Sequence, residues 1–144
     1  MHGKVRFFNE GINYRLLGKT KIKEWINEVI LRDSKTSGVM NIIFCDDAYL
    51  SELNLSYLHH TTLTDIITFD FTADGIISGD IYISIDRVRE NAMLYNKTCR
   101  DELNRVMIHG VLHLLGNKDK KPKDKAMMRK KEDDCLQLLL SLSK

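Results

Sequence analysis

The sequence predicts an α+β fold: a mixed four-stranded sheet with one antiparallel strand, packed with about five helices. Three observations predict it. Short alternating runs interleave with longer runs of helical spacing, in the order β-α-β-α-β-β-α-α-α. The opening βαβ unit requires parallel pairing, whereas two later strand-like runs separated by a short turn form an antiparallel pair. One helical run, ending in "HGVLHLLG", is apolar nearly all round, which places it at the centre of the fold. A chain of 144 residues with a single proline, no internal repeat and no linker suits one domain over residues 1–144.

Taken in order, "KVRFFN" at residues 4–9 alternates and reads as a strand. "KTKIKEWINEVILRDS" spaces Ile22, Trp25, Ile26, Val29 and Ile30 along one helical face, and "SG" at 37–38 is expected to end that segment. "VMNIIFC" (39–45) is a strand of buried character. "DDAYLSELNLSYL" opens on cap-type aspartates and then spaces Leu50, Leu53 and Tyr57 helically. "DIITFDF" alternates, with Ile67, Phe69 and Phe71 on one face and Ile66, Thr68 and Asp70 on the other. "ADG" is a turn, and "GDIYISI" continues the alternation with Ile81, Ile83 and Ile85 together. Helices follow over 86–96, over 100–116 with Gly116 closing the C-terminus, and over 124–142 with Pro122 and Asp124 at its start.

The composition, 43% hydrophobic and 29% charged, is that of an ordinary globular chain. No apolar run reaches the roughly 18 residues of a membrane helix, and "MHGKVRFFNEG" lacks a signal-peptide core, so a cytoplasmic location is expected. Cys45, Cys99 and Cys135 are odd in number and widely spaced, which predicts free thiols. Charge is unevenly spread. Residues 116–133 carry eight Lys/Arg against four Asp/Glu, whereas residues 1–115 are slightly acidic, so the positive charge gathers beside the histidine-bearing segment. Such a run is either a solvated helix face or a rim facing a polyanion.

His109 and His113 are four residues apart, which puts them about 40° apart on one helical face, close enough for both imidazoles to reach one ion. Two buried imidazoles need partners, because an unpaired buried polar group costs on the order of 1–3 kcal/mol. A metal satisfies both; a pair of hydrogen-bonded core histidines is the alternative. A third ligand has to come from another direction. After Gly116 the chain can fold back, and Asp119 is the first carboxylate available; Asp124 is its rival, although its position before "KAMMRKKE" suits a helix cap. Two imidazoles and one carboxylate suit one zinc ion, and also iron(II) or manganese. Three protein ligands leave a position for water, whose pKa lowered toward ~7 makes it a hydroxide nucleophile. The metalloprotease spacing H-E-x-x-H is absent: Gly110 stands where its glutamate would be, which argues against peptide hydrolysis and for close backbone packing.

At these residues the chain resembles the YbeY-type endoribonucleases, also described as ribosomal RNA maturation factors. The signature H-G-x-L-H-L-x-G stands here as "HGVLHLLG" followed by "NKD". "LNLSYLHHTTLTDIITFDF" (53–71) resembles the family's Asn-x-x-Tyr and Thr-Asp-(aliphatic)₂-(Ser/Thr)-Phe block, and "SGDIYISID" (78–86) its Gly-Asp-Ile-x-Ile-Ser block. The resemblance implies a small α+β zinc protein that cleaves single-stranded RNA, acting in small-subunit rRNA 3′-end maturation and ribosome quality control, with ribosomal partners. It carries metal binding onto His109, His113 and the position of Asp119. Two departures stand out. Most members have a third histidine where this chain has Asp119, and the carboxylate lowers the site's charge by one, so a weaker Lewis acid and an altered metal preference are expected. Many members also have an arginine where Leu58 follows Tyr57; His59, His60 and the lysines of 118–131 are candidate replacements for gripping phosphate.

Thr64, Asp65 and Thr68 are candidates for lining the cleft beside the metal, against a simpler role in turn capping. Lys118, Lys120 and Lys121 are candidates for holding RNA phosphates. Asp80 is expected to cap a strand start, Tyr49 and Tyr57 to pack against the protein, and His2 to lie at a surface terminus. No residue presents itself as general base, and the spacing does not separate activation of water from activation of the RNA 2′-OH. A non-catalytic ribosome-associated module with a structural metal, and a metallohydrolase with a non-RNA substrate, are the competing functions.

Overall fold

The computed structural model describes residues 3–59 and 63–142; His2 and His60 lie outside the described residues. The elements run β1 (Lys4–Asn9), α1 (Lys19–Arg32), β2 (Thr36–Cys45), α2 (Asp47–Leu58), β3 (Ile66–Asp70), β4 (Ile76–Ser84), α3 (Ile85–Leu94), α4 (Cys99–Leu114) and α5 (Pro122–Leu142). The sheet has the order β1-β2-β4-β3. β1 and β4 flank β2 in parallel, and β3 pairs antiparallel with β4 from Ile66↔Ile83 to Asp70↔Gly79. The hairpin closes through Asp74 (φ 53°) and Gly75 (φ 76°), two consecutive left-handed residues whose twist matches that of the strands they join.

The sheet's two faces are unequally covered. On one face Met40, Ile42, Phe44, Ile77, Ile81 and Ile83 meet α1, α3, α4 and α5 in a single large core. α1 contributes the stripe Ile22, Trp25, Ile26, Val29 and Ile30, all buried, and the Trp25 indole N–H donates to the Cys135 carbonyl at 2.7 Å, tying α1 to α5. Among the described residues the other face carries α2 alone, over a small cluster of Cys45, Leu50 and Ile67. All three cysteines are free.

Several local expectations are corrected. Ser37-Gly38 does not end a segment: it lies inside β2, which starts at Thr36. A Cβ on Gly38 would stand 2.1 Å from the Ser78 hydroxyl, so glycine here permits strand approach at a register irregularity rather than chain reversal. β4 likewise starts at Ile76, and Ile85 opens α3 behind the Ser84 cap, which accepts from the Arg87 amide. Asp80 sits within β4 and accepts from the Asn41 amide at 2.9 Å, a cross-strand pair and not a cap. Tyr57 does pack, its ring T-shaped against that of Phe69, but it stays 65% exposed because α2 covers too little of the sheet to bury it. α5 begins at Pro122, so Asp124 falls within its first turn instead of capping it.

Candidate metal centre

α4 is capped by Thr98, whose hydroxyl accepts from the Asp101 amide at 3.1 Å, and carries Asp101 and Glu102 in its first turn, where the helix dipole favours them. It packs against β3 and β4 on one side and between α3 and α5 on the others. Gly110 makes the first contact possible: a Cβ there would lie 2.9 Å from Ile66 Cδ1 and 2.9 Å from Ile81 Cγ2. The helix ends in a Schellman turn. The Gly116 amide donates to the His113 carbonyl (2.9 Å) and the Asn117 amide to the Leu112 carbonyl (3.0 Å), with Gly116 at φ 96°. The Asn117 side chain also donates to Leu112, and Lys131 of α5 donates to Asn117 Oδ1. This turn and its two ties direct the following residues back over the end of α4.

The result is a triangle of three donor atoms from two segments. His109 Nε2 and His113 Nε2 are 3.0 Å apart. Asp119 Oδ2 lies 3.1 Å from the first and 3.2 Å from the second. Among the described residues this is the one group of His, Cys, Asp and Glu with the convergence to hold a metal ion. Ligand atoms on a tetrahedral zinc stand roughly 3.3–3.5 Å from one another, so the triangle is close to the required size. Two imidazole nitrogens at this range are held either by one N–H donating to the other's lone pair or, with both lone pairs free, by a shared cation. The side chains are 21%, 28% and 35% exposed respectively, which leaves the triangle open to solvent on one side. Asp124 shares the same cleft and stands outside the converging set.

Behind His109 stands a residue that the sequence reading missed. Glu132 of α5 has only 7% of its side chain exposed. Its Oε2 lies 2.6 Å from His109 Nδ1, while its Oε1 accepts from Arg105 Nη1 at 2.8 Å. Arg105 Nη2 in turn donates to Asp133 at 2.7 Å. Burial pushes the Glu132 carboxyl up, but the hydrogen bonds from His109 and Arg105 outweigh it and hold it below the ordinary range. Burial opposes protonation of His109, and Glu132 and Asp119 more than offset that, so its pKa is raised. The signal was present in the periodicity. Met128, Glu132, Cys135, Leu136 and Leu139 form the inward stripe of α5, and a carboxylate in such a stripe needs a partner.

The remaining candidates divide. Lys118, Lys120 and Lys121 line a cleft of about 520 Å³ together with His113, Asn117, Asp119 and Asp124, directly beside the triangle. Asp65 is half-buried, its carboxyl raised chiefly by burial and drawn down in part by the charge of His109, so it lies within electrostatic reach of the site. Thr64 is engaged locally, its hydroxyl donating to the Ile66 carbonyl at 3.3 Å. Thr68 pairs across the hairpin with Ile81, on the sheet face that meets α4. His59 is the left-handed C-cap residue of α2, with φ 55°. Leu58, at the end of α2, is 43% exposed.

Comparison with known proteins agrees with this architecture. Residues 9–140 match the model of the family described as Endoribonuclease YbeY. An Endoribonuclease YbeY of Flavobacterium psychrophilum is 51% identical over 131 residues, covering 91% of this chain and 94% of the relative. That of Cytophaga hutchinsonii is 48% identical over 135 residues, covering 93% and 94%. The solution structure of TM1509 from Thermotoga maritima superposes with a TM-score of 0.68 at 27% identity, covering 96% of this chain and 90% of that one. By the extent of these matches and by the signature around His109 and His113, the chain belongs to the YbeY endoribonuclease family.

Proposed function

We propose that this protein is a metal-dependent endoribonuclease that cuts unpaired RNA, acting in small-subunit rRNA 3′-end maturation and ribosome quality control in the cytoplasm. The observation that carries the proposal is the triangle of His109, His113 and Asp119 at the mouth of a lysine-rimmed cleft, in a chain whose relatives are named for RNA cleavage. Two imidazoles and one carboxylate suit a single zinc ion. When bound, a divalent ion supplies Lewis acidity and a lowered water pKa.

The chain's own residues do the rest. Lys118, Lys120 and Lys121 attract the phosphodiester backbone and hold it beside the triangle, a sequence-independent contact that weakens with salt. Glu132 and Arg105 hold His109 from behind. Asp65, whose carboxyl feels the charge of His109, and Thr68, on the sheet face that meets α4, are the candidates for RNA contact on the opposite side, with Thr64 beside them in the chain. The described lining of the cleft is mainly lysines and carboxylates, which fits contact with the backbone and selection by strandedness and by a ribosomal partner. Among the described residues no helix is long and apolar enough to cross a membrane.

The test is to strip the protein with a chelator, reload it with zinc, and offer it a single-stranded RNA, the corresponding duplex and a peptide. Cleavage of the single strand alone, lost on stripping and restored on reloading with an unchanged circular dichroism spectrum, is the expected result. Unfolding on chelation with no RNA cut by any preparation would favour a binding module with a structural metal; peptide turnover alone would reject RNA as substrate.

A further inference from the structure

We propose that Glu132 is the positioning residue of the metal centre: it accepts from Nδ1–H of His109 and so turns a bare Nε2 toward His113 and Asp119, while Arg105 holds Glu132 in place. The inference rests on the metal-dependent reading above and adds a residue from a different helix, 23 positions further along the chain from His109.

The argument is one of donors and acceptors. A neutral imidazole carries its proton on one nitrogen only. With the proton on Nδ1, the 2.6 Å contact to Glu132 is a hydrogen bond to a carboxylate, and Nε2 presents a lone pair to the triangle. With the proton on Nε2, the same contact would oppose a lone pair to a carboxylate oxygen in a buried setting, and the N–H would fill the space that a ligand atom must leave open. Glu132 therefore selects the tautomer that a metal needs. It is suited to this because both its oxygens are committed: Oε2 to His109 and Oε1 to Arg105 at 2.8 Å. Arg105 is itself fixed from its other nitrogen by Asp133 at 2.7 Å, so the carboxylate is held by a fork that cannot easily rotate. A buried carboxylate on the apolar stripe of α5 has no stabilising role of its own; without Arg105 and His109 it would be an unpaired charge. No comparable acceptor stands at Nδ1 of His113 among the described residues, so the two ligands are unequally supported.

The decisive variant is Glu132→Gln. Its amide has an oxygen at only one of the two positions that Oε1 and Oε2 occupy and an NH2 group at the other, so it cannot accept from Arg105 at one and from His109 at the other, although its volume is unchanged. Zinc affinity is measured by competition with a chromophoric chelator, and the His109 tautomer by two-bond ¹H–¹⁵N correlation of the metal-free protein above the imidazole titration. The wild type should show His109 as the Nδ1–H tautomer. The variant should populate Nε2–H and bind zinc about 10–100-fold more weakly. Arg105→Met should act in the same direction and less; a larger loss than Glu132→Gln would assign the role to Arg105 and overturn the proposal. A folded Glu132→Gln protein with wild-type zinc affinity would also overturn it. So would an Nε2–H tautomer in the metal-free wild type, a measurement that needs no variant to fold. A wild type that binds no zinc would instead refute the metal-dependent reading, and the tautomer would still decide what Glu132 does.

Discussion

On one side of α4, Gly110 and Leu114 press onto β3 and β4; on the other, His109 and His113 face Asp119 and Glu132. The first side is governed by volume. A Cβ on Gly110 would approach Ile66 and Ile81 at 2.9 Å, and one on Gly79 would approach Leu114 Cδ2 at 3.0 Å, so these surfaces meet with nothing to spare. The second side is governed by donor and acceptor matching, with every close contact lying between 2.6 and 3.2 Å. The difference teaches how one helix can serve as both core and template. Substitutions on the sheet side should act chiefly on stability and leave the chemistry; substitutions on the other should act chiefly on metal binding, with a smaller effect on stability.

The largest expected effect tests the second half of that contrast. His113→Ala should weaken zinc binding by more than about 100-fold, beyond what loss of an orienting partner produces, and abolish RNA cleavage with it. Because His113 is 28% exposed, the metal-free variant should melt close to the metal-free wild type. Unchanged metal stoichiometry by elemental analysis would break the comparison. Next, Gly110→Val should overpack the sheet side and cost about 1–3 kcal/mol in denaturant unfolding, while the folded fraction still binds one zinc. A variant of full stability that has lost its metal would show that the two sides are not separable.

A smaller effect comes from pH. The His109 pKa is raised above the ordinary 6.5, because Glu132 and Asp119 together overcome burial. In the chelator-treated protein the stabilisation from its protonated ring is complete below about 6.5 and is lost as pH rises through the higher folded value. Thermal melts should therefore show stability falling across that window, and His109→Ala should remove the fall. The smallest effect is expected of Asp119→His, which replaces one ligand atom by another and should retain one zinc per chain. Loss of all metal in that variant would mean that Asp119 is not a ligand.

How much of this was legible depended on whether the information was local. The stripe of α1 was read residue for residue, because five apolar positions at helical spacing admit no other face. The hairpin followed from alternation on both sides of Asp74-Gly75. Ser37-Gly38 has turn composition, and only the nearness of Ser78 shows that it serves strand contact. Tyr57 packs against the protein as expected, through the Phe69 ring, although α2 covers too little of the sheet to bury it. Local position suggests a cap at both Asp80 and Asp124, whereas one pairs across strands and the other lies past the start of α5.

The sequence by itself determined that His109 and His113 share a face, that their helix is buried, and that a glycine-terminated turn follows, because each depends on spacing along one helix. Only the tertiary structure decided that Asp119 comes within 3.2 Å of both imidazoles and that Glu132, from another helix, reaches His109 at 2.6 Å. The physical reason is one of range. Backbone geometry sets directions over a few residues, while bringing atoms from separate elements to contact distance requires those elements to have packed, and that packing belongs to the whole core.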